Sequence, residues 1–288
     1  MPFAESPHGP IHYRDVGAPG ASHAVVLIQG LGLSSRFWFD VPDKLGEDPD
    51  RPRRVLAIDN RGTGESARPR APFSLGDMAD DVARLLDHVG VESATVVGIS
   101  MGGMIAQHVA LRHPARVSGL VLMATTPGFV FGELPRARAL GRLLTMPLRR
   151  RDRAGAMGRL LLPRSQWSRS REILRDHQRA MAIDPPSGRT FALHVLAAAR
   201  HLTAPRLGEV RCPTRVIAGA EDELIPPGNA RAIARRIPGA QLDVLADVGH
   251  AIFVGDRDLV VRAVRSVEDA RVELAGPSRR RAGAAAPR

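Results

Sequence analysis

From residue 25 to about 125, short apolar runs alternate with stretches in which apolar residues recur every three or four positions. That alternation is the pattern of βαβ units wound around a buried parallel sheet. Val25-Val26-Leu27-Ile28, Val55-Leu56-Ala57-Ile58, Ala94 to Ile99 and Leu120 to Met123 read as four of its strands. Their continuous rather than alternating apolarity implies burial on both faces. Between the second and third, Leu75, Met78, Val82, Leu85, Leu86 and Val89 share one helical face, with Ser74 and Asp77 spaced to cap its start and Gly90 to stop it.

The pattern changes at about residue 128. From there to 205 no strand-like run occurs, and Arg-rich helical stretches are broken by Pro135, Pro147, Pro163, Pro185 and Pro186, which reads as a helical insertion. Strand signals return at Thr214 to Ala218 and at Gln241 to Leu245, with a helix over Pro227 to Ile237 between them and a last helix from about Leu259. No internal repeat is present. A chain of 288 residues ordered as sheet, helical insertion, sheet fits one large α/β domain carrying an inserted segment.

Composition narrows the function classes. With 44% hydrophobic and 25% charged residues, the chain can bury a full core without metal or disulfide support. The single cysteine, Cys212, and the lack of a basic or apolar leader over Met1 to Pro10 lead to the expectation of a cytoplasmic protein. No uncharged apolar run approaches the length of a spanning helix. The net charge of +11 would attract polyanions, but it is concentrated: Arg136 to Arg179 holds 13 arginines against Asp152, Glu172 and Asp176. Arg279, Arg280, Arg281 and Arg288 sit in a Gly/Ala/Pro-rich tail, 276–288, that reads as disordered. Aromatic residues are 4% and no nucleic-acid motif occurs, so the charge reads as a solvated basic face rather than a nucleic-acid or membrane site. A narrower expectation is that the arginines of the insertion favour anionic substrates.

The chemistry concentrates at Gly98-Ile99-Ser100-Met101-Gly102-Gly103, directly after a strand and before a helical stretch ended by Pro114. A serine in so tight a strand-to-helix turn is held in a strained conformation that lifts its hydroxyl clear of the fold, and glycines two positions away avoid collision. The N–H of Met101, at the helix start, would then face a developing oxyanion. A serine nucleophile needs a base and a carboxylate to orient that base. His250, after Gly249 in the loop beyond the strand ending at Leu245, sits where a parallel sheet presents its carboxyl edge. The carboxylate is left open among Glu221, Asp222 and Glu223, which follow the strand ending near Gly219; Asp247 is a fourth choice, but close in sequence to His250. His108 and His113 read as surface or packing residues, and His12, His88, His177, His194 and His201 show no partner spacing and no metal motif. Cys212, before Pro213, reads as a packing residue.

These residues together resemble the α/β-hydrolase fold superfamily, in its branch of cofactor-free serine esterases, lactonases and perhydrolase-like enzymes. The order Ser, Asp, His is that family's order. Ser100 matches its nucleophile, Asp222 its acid in Gly219-x-x-Asp222-x-x-x-Pro226, and His250 its base, while Asp59 to Ser66 resembles its D-x-R-G-x-G-x-S loop. The match runs from about residue 11 to 270. It implies a mostly parallel central sheet flanked by helices, a core formed by 1–127 and 206–275, and a helical cap over 128–205. The family usually has His-Gly after its third strand; here Gln29-Gly30-Leu31-Gly32 stands instead. The resemblance still implies the main-chain N–H of Leu31, after Gly30, as the second oxyanion donor. Gly30-Leu31-Gly32 also approaches a dinucleotide fingerprint, but Ser35 replaces the third glycine and that reading leaves the serine, acid and base unexplained.

Phe37 and Trp38 after this loop, Phe129 at the entry to the insertion and Trp167 within it are candidates to line an apolar substrate pocket. The expected activity is hydrolysis of a small carboxylic ester or lactone through an acyl-enzyme, with no cofactor and no metal. Acyl transfer or natural-product methyl-ester hydrolysis on the same residues, and a small-molecule binding protein with vestigial turnover, are the alternatives.

Overall fold

The computed structural model describes residues 2–146, 153–185 and 187–275. Pro147 and Pro186, named above as breaks in the insertion, and the tail 276–288 lie outside the described residues. Eight strands form one sheet: β1 (Phe3–Ala4), β2 (Ile11–Gly17), β3 (His23–Ile28), β4 (Arg53–Ile58), β5 (Ala94–Ile99), β6 (Val117–Met123), β7 (Thr214–Gly219) and β8 (Gln241–Leu245), in the order β1-β2-β4-β3-β5-β6-β7-β8. From β4 to β8 every pairing is parallel; β1 and β2 close one edge antiparallel. The six parallel strands lie where the sequence predicted strands. The two antiparallel strands carried no such signal, because β2 reads Ile-His-Tyr-Arg-Asp-Val-Gly and its second half is partly exposed.

Ten α-helices are described: α1 (Val41–Gly46), α2 (Leu75–His88), α3 (Met101–Arg112), α4 (Ala137–Thr145), α5 (Arg153–Leu161), α6 (Ser170–Ile173), α7 (Arg175–Ile183), α8 (Gly188–Ala199), α9 (Gly228–Ala234) and α10 (Asp258–Ala275). The side-chain alternation of a strand sorts the core into two layers. Val26 and Ile28 of β3 join the apolar stripes of α2 and α3, whereas Val25 and Leu27 face Val260 and Val264 of α10 and Leu45 of α1. Helix α2 begins as its sequence predicts. The Ser74 hydroxyl accepts from the Asp77 N–H at 3.1 Å, and the Asp77 carboxylate accepts from the Ser74 N–H at 2.7 Å.

Helices α4 to α8 fall between β6 and β7 and lie over the carboxyl ends of the strands, where β3, β5, β7 and β8 deliver their following loops. Helix α7 is tied to the core by Arg257, whose guanidinium pairs with Asp176 and with Asp40 (2.9 Å) and lies 4.5 Å above the centre of the Phe39 ring. Helix α8 is tied by Thr190, whose hydroxyl donates to the Gly62 carbonyl at 3.2 Å.

Candidate active site

The Gly98 to Gly103 turn closes because its glycines admit contacts that no side chain would survive. A Cβ on Gly98 would lie 2.2 Å from the Gly102 carbonyl oxygen, and one on Gly102 would lie 2.1 Å from the Ile28 carbonyl oxygen. Strand β5 and helix α3 therefore approach each other, and both approach β3, as closely as backbones can. Ser100, between them, is forced to φ 56° and ψ −120°, a strained geometry for a residue with a side chain. It is held there by its N–H donating to the Met123 carbonyl at 2.9 Å and by its own carbonyl accepting from Thr125 Oγ1 at 2.8 Å. Met101 opens α3, so its N–H has no acceptor within the helix.

The loop after β3 approaches the same serine. A Cβ on Gly30 would stand 3.3 Å from Ser100 Cβ, so only glycine brings this backbone so near the hydroxyl without displacing it. Gln29 takes over the bracing expected of the family's usual histidine: its Nε2 donates to the Phe37 carbonyl at 3.0 Å, while its Oε1 accepts from the Gly30 N–H at 3.0 Å. Asn60 Nδ2 donates to the Gln29 carbonyl at 2.9 Å. Asp59 accepts from the Ser35 N–H at 2.6 Å and the Glu65 N–H at 3.0 Å, which explains how a loop resembling a family motif supports this site without touching it. The Leu31 N–H finds no backbone acceptor among the described residues.

Of the four acidic candidates, the geometry joins Asp222 to His250. Asp222 Oδ2 lies 2.7 Å from His250 Nδ1, and both residues are buried. Asp222 Oδ1 accepts from the N–H groups of Leu224 and Ile225, each at 2.8 Å, so the carboxylate is held at both oxygens. A carboxylate facing Nδ1 fixes the proton there and leaves Nε2 as the acceptor. Glu223 instead turns outward to Arg138, and Asp247, in a left-handed conformation at φ 54°, makes no bond to His250. Ser100 and His250 face one cavity. No hydrogen bond yet joins them, as is common before a substrate closes the geometry.

That cavity is apolar apart from a few groups. The core contributes Gly30, Leu31, Phe37 and Phe253; the inserted helices contribute Leu143, Met157, Met181 and Phe191. Phe37 lines it as the sequence predicts. Trp38, Phe129 and Trp167 do not. Trp38 is wholly buried against Phe253, 4.9 Å between ring centres, on the far side of the wall. Phe129 packs against the core beside β6. Trp167 lies in a separate polar cleft beyond Asp222, with the guanidinium groups of Arg142 and Arg164 at 5.5 and 5.8 Å from its ring centre. Tertiary packing, not residue type, decides which way each aromatic side chain faces. Several arginines of the insertion are absorbed in the same way: Arg138 pairs with Glu223, Arg169 with Glu172 at 3.1 Å and Arg179 with Asp176 at 3.6 Å.

Two histidines that spacing did not single out adjoin the cavity. His177 lines it, edge-on to Phe37, with an Nε2 that has no hydrogen-bond partner; burial lowers its pKa to about 4. His194 stands behind the Gly30 loop and is fully buried. Neither lies near a partner in sequence, so no motif could have flagged them. Cys212 packs partly buried against the core at the opposite end of the sheet, and burial raises its thiol pKa to about 11, which removes it from nucleophilic chemistry near neutral pH. No group of three or more metal-ligating side chains occurs among the described residues.

Comparison with known proteins matches residues 23–256 to the alpha/beta hydrolase fold family. The poly(3-hydroxyalkanoate) depolymerase of Ectopseudomonas oleovorans is 31% identical over 245 residues, covering 84% of this chain and 83% of its own. A protein of Klebsiella pneumoniae subsp. pneumoniae, provisionally named carbamate hydrolase RutD, is 30% identical over 268 residues, covering 91% and 96%. Among solved structures, Est816, described as an N-acyl homoserine lactone degrading enzyme, superposes with a TM-score of 0.76 at 27% identity, over 92% of this chain and 99% of its own.

Proposed function

The chain belongs to the α/β hydrolase fold family and is a hydrolase; on that premise we propose that it cleaves a carboxylic ester or lactone of a small molecule through an acyl-enzyme on Ser100. The observation that carries this reading is the 2.7 Å bond between Asp222 and His250, opening onto the same apolar cavity as the strained Ser100. Ser100 Oγ attacks the substrate carbonyl carbon while His250 Nε2 takes the hydroxyl proton. The negative charge that forms on the carbonyl oxygen meets the N–H groups of Met101 and Leu31. Collapse breaks the ester C–O bond, and the leaving oxygen takes the proton from His250. Water then attacks the acyl carbon with His250 again accepting a proton, releasing the acid and restoring Ser100.

In this reading residues 128–205 act as a cap: α4, α5, α7 and α8 supply one wall of the cavity. Among the described residues no helix is long and apolar enough to cross a membrane. The similarity to a poly(3-hydroxyalkanoate) depolymerase and to an N-acyl homoserine lactone degrading enzyme supports ester or lactone chemistry. The test is turnover of a panel of small alkyl esters, γ- and δ-lactones, amides and carbamates, each with wild type and Ser100→Ala. Ester or lactone turnover that Ser100→Ala abolishes supports the reading. Turnover confined to carbamates or amides overturns the substrate class, and a new ester made from an added alcohol, with no free acid, overturns hydrolysis in favour of transfer.

A further inference from the structure

His194 lies on α8, inside the inserted helices, yet both of its ring nitrogens are bound to loops of the core. Nδ1 lies 3.1 Å from the Gly32 N–H, and Nε2 lies 2.9 Å from the Arg61 carbonyl oxygen. A carbonyl only accepts, so Nε2 carries the proton and Nδ1 is the acceptor for Gly32. The ring is completely enclosed, with Phe73 edge-on at 5.8 Å. Burial holds its pKa down to about 4, so near neutral pH the imidazole stays in the one form that can accept from Gly32.

Gly32 is the residue after Leu31, and its φ of +73° makes the turn that presents the Leu31 amide. The near half of that turn is fixed from within the core, by Asn60 on the Gln29 carbonyl, by Gln29 on the Gly30 N–H and by the Leu33 N–H on the Gly30 carbonyl at 3.2 Å. The Gly32 amide plane, which adjoins the Leu31 amide plane at the Leu31 α-carbon, is fixed from α8 by the His194 ring. The same helix is seated on the core through Thr190 and the Gly62 carbonyl, where a Cβ on Gly62 would lie 2.6 Å from Thr190 Oγ1.

We propose that His194 is a positioning residue for the oxyanion site, orienting the Leu31 N–H through Gly32 so that this donor is correctly aimed only when α8 is docked. The inference rests on the reading of Leu31 as an oxyanion donor. It couples the insertion to the chemical step by a route separate from lining the pocket. Because the bond acts on a donor used mainly in the transition state, its loss lowers kcat and leaves KM nearly unchanged.

The experiment compares wild type with His194→Leu and His194→Gln on a small ester, together with inhibition by a trifluoromethyl ketone, which forms the charged tetrahedral adduct, and by the matching methyl ketone as a ground-state control. Leucine supplies neither bond; the glutamine amide supplies one acceptor and one donor. Removing an oxyanion donor outright costs about a hundredfold to a thousandfold in kcat, so a misaimed donor is expected to cost about tenfold to a hundredfold. Expected is that loss in His194→Leu with KM within about threefold, a parallel rise in the trifluoromethyl ketone inhibition constant alone, and recovery of most of the rate in His194→Gln. Should His194→Leu fail to fold, His194→Asn, which keeps an amide but is too short to reach both partners, takes its place with the same expectation. A folded variant that melts lower but keeps kcat and trifluoromethyl ketone affinity within twofold of wild type overturns the inference. Wild type inert toward every ester would instead remove the hydrolase reading beneath it, so the wild-type arm tells the two failures apart.

Discussion

Replacing Asp222 by asparagine is the sharpest perturbation of the proposed acid, because the surroundings dictate how the new amide must sit. Asp222 Oδ1 accepts two backbone N–H groups, from Leu224 and Ile225, at 2.8 Å each. An asparagine oxygen must occupy that place, since an NH2 there would oppose two donors. The NH2 is therefore driven to the other position, 2.7 Å from His250 Nδ1. There it donates, Nδ1 becomes the acceptor, and the ring proton moves to Nε2, the nitrogen that has to be free to take the Ser100 proton. The side chain keeps its shape and both backbone bonds, so the fold is expected to persist. An enforced wrong tautomer of this kind costs about 10⁴-fold in kcat, equivalent to about 5.4 kcal/mol at 1.36 kcal/mol per decade. The assay is kcat on a small ester at pH 7, with the melting temperature measured on the same preparation. A folded Asp222→Asn enzyme within tenfold of wild type would refute the assignment of Asp222 as the group orienting His250. Asp222→Ala should behave differently, losing about 1–3 kcal/mol of stability as well, because two buried N–H groups lose their acceptor.

Three further outcomes follow from the geometry. Gly30→Ala places a Cβ 3.3 Å from Ser100 Cβ and 3.6 Å from the Ile99 carbonyl oxygen; a shift of a few tenths of an ångström relieves it, so kcat should fall about tenfold with the melting temperature almost unchanged, and an unaltered kcat would contradict the close approach. The cavity encloses about 130 Å³, slightly less than the roughly 150 Å³ apolar cavity that admits benzene, so esters of butanoate to hexanoate should outpace dodecanoate by about tenfold or more in kcat/KM, and equal rates would show that the cap helices do not bound the acyl group. His177 and His194 are held neutral by burial at about 4 and His201 at about 3, whereas the unfolded chain protonates them near 6.5; the unfolded state thus binds more protons below 6.5, and stability should fall with decreasing pH by about 1.4 kcal/mol per unit for each histidine down to about pH 4. Melting temperatures from pH 7 to pH 5 check this, and a flat profile would contradict it.

What could be read from the sequence follows from how local each signal is. Strands β3 to β7 are sandwiched between helices, so burial on both faces leaves continuous apolar runs. Strands β1 and β2 form an antiparallel edge, and their mixed polarity hides them. The Ser100 turn is contained in six consecutive residues and imposes its own strain, which makes it visible without a fold. Apart from the resemblance carried by Gly219-x-x-Asp222-x-x-x-Pro226, Asp222 is distinguished from Glu221 and Glu223 only by the two amides that bind its far oxygen and by the Arg138 that draws Glu223 away. Those are tertiary facts, and three adjacent carboxylates cannot announce them. Trp38, Phe129 and Trp167 failed as pocket residues for the same reason: an aromatic side chain is equally at home in a core, a cleft or a cavity wall. His194 binds a residue 162 positions away, beyond anything periodicity can reveal.

The central claim is that Ser100 is an activated nucleophile facing assembled oxyanion donors. Intact-mass analysis after incubation with a small alkyl fluorophosphonate, wild type beside Ser100→Ala, tests it most directly. One phosphonyl adduct on wild type and none on Ser100→Ala is the predicted result. An unmodified wild type, or equal modification of both proteins, would contradict the claim.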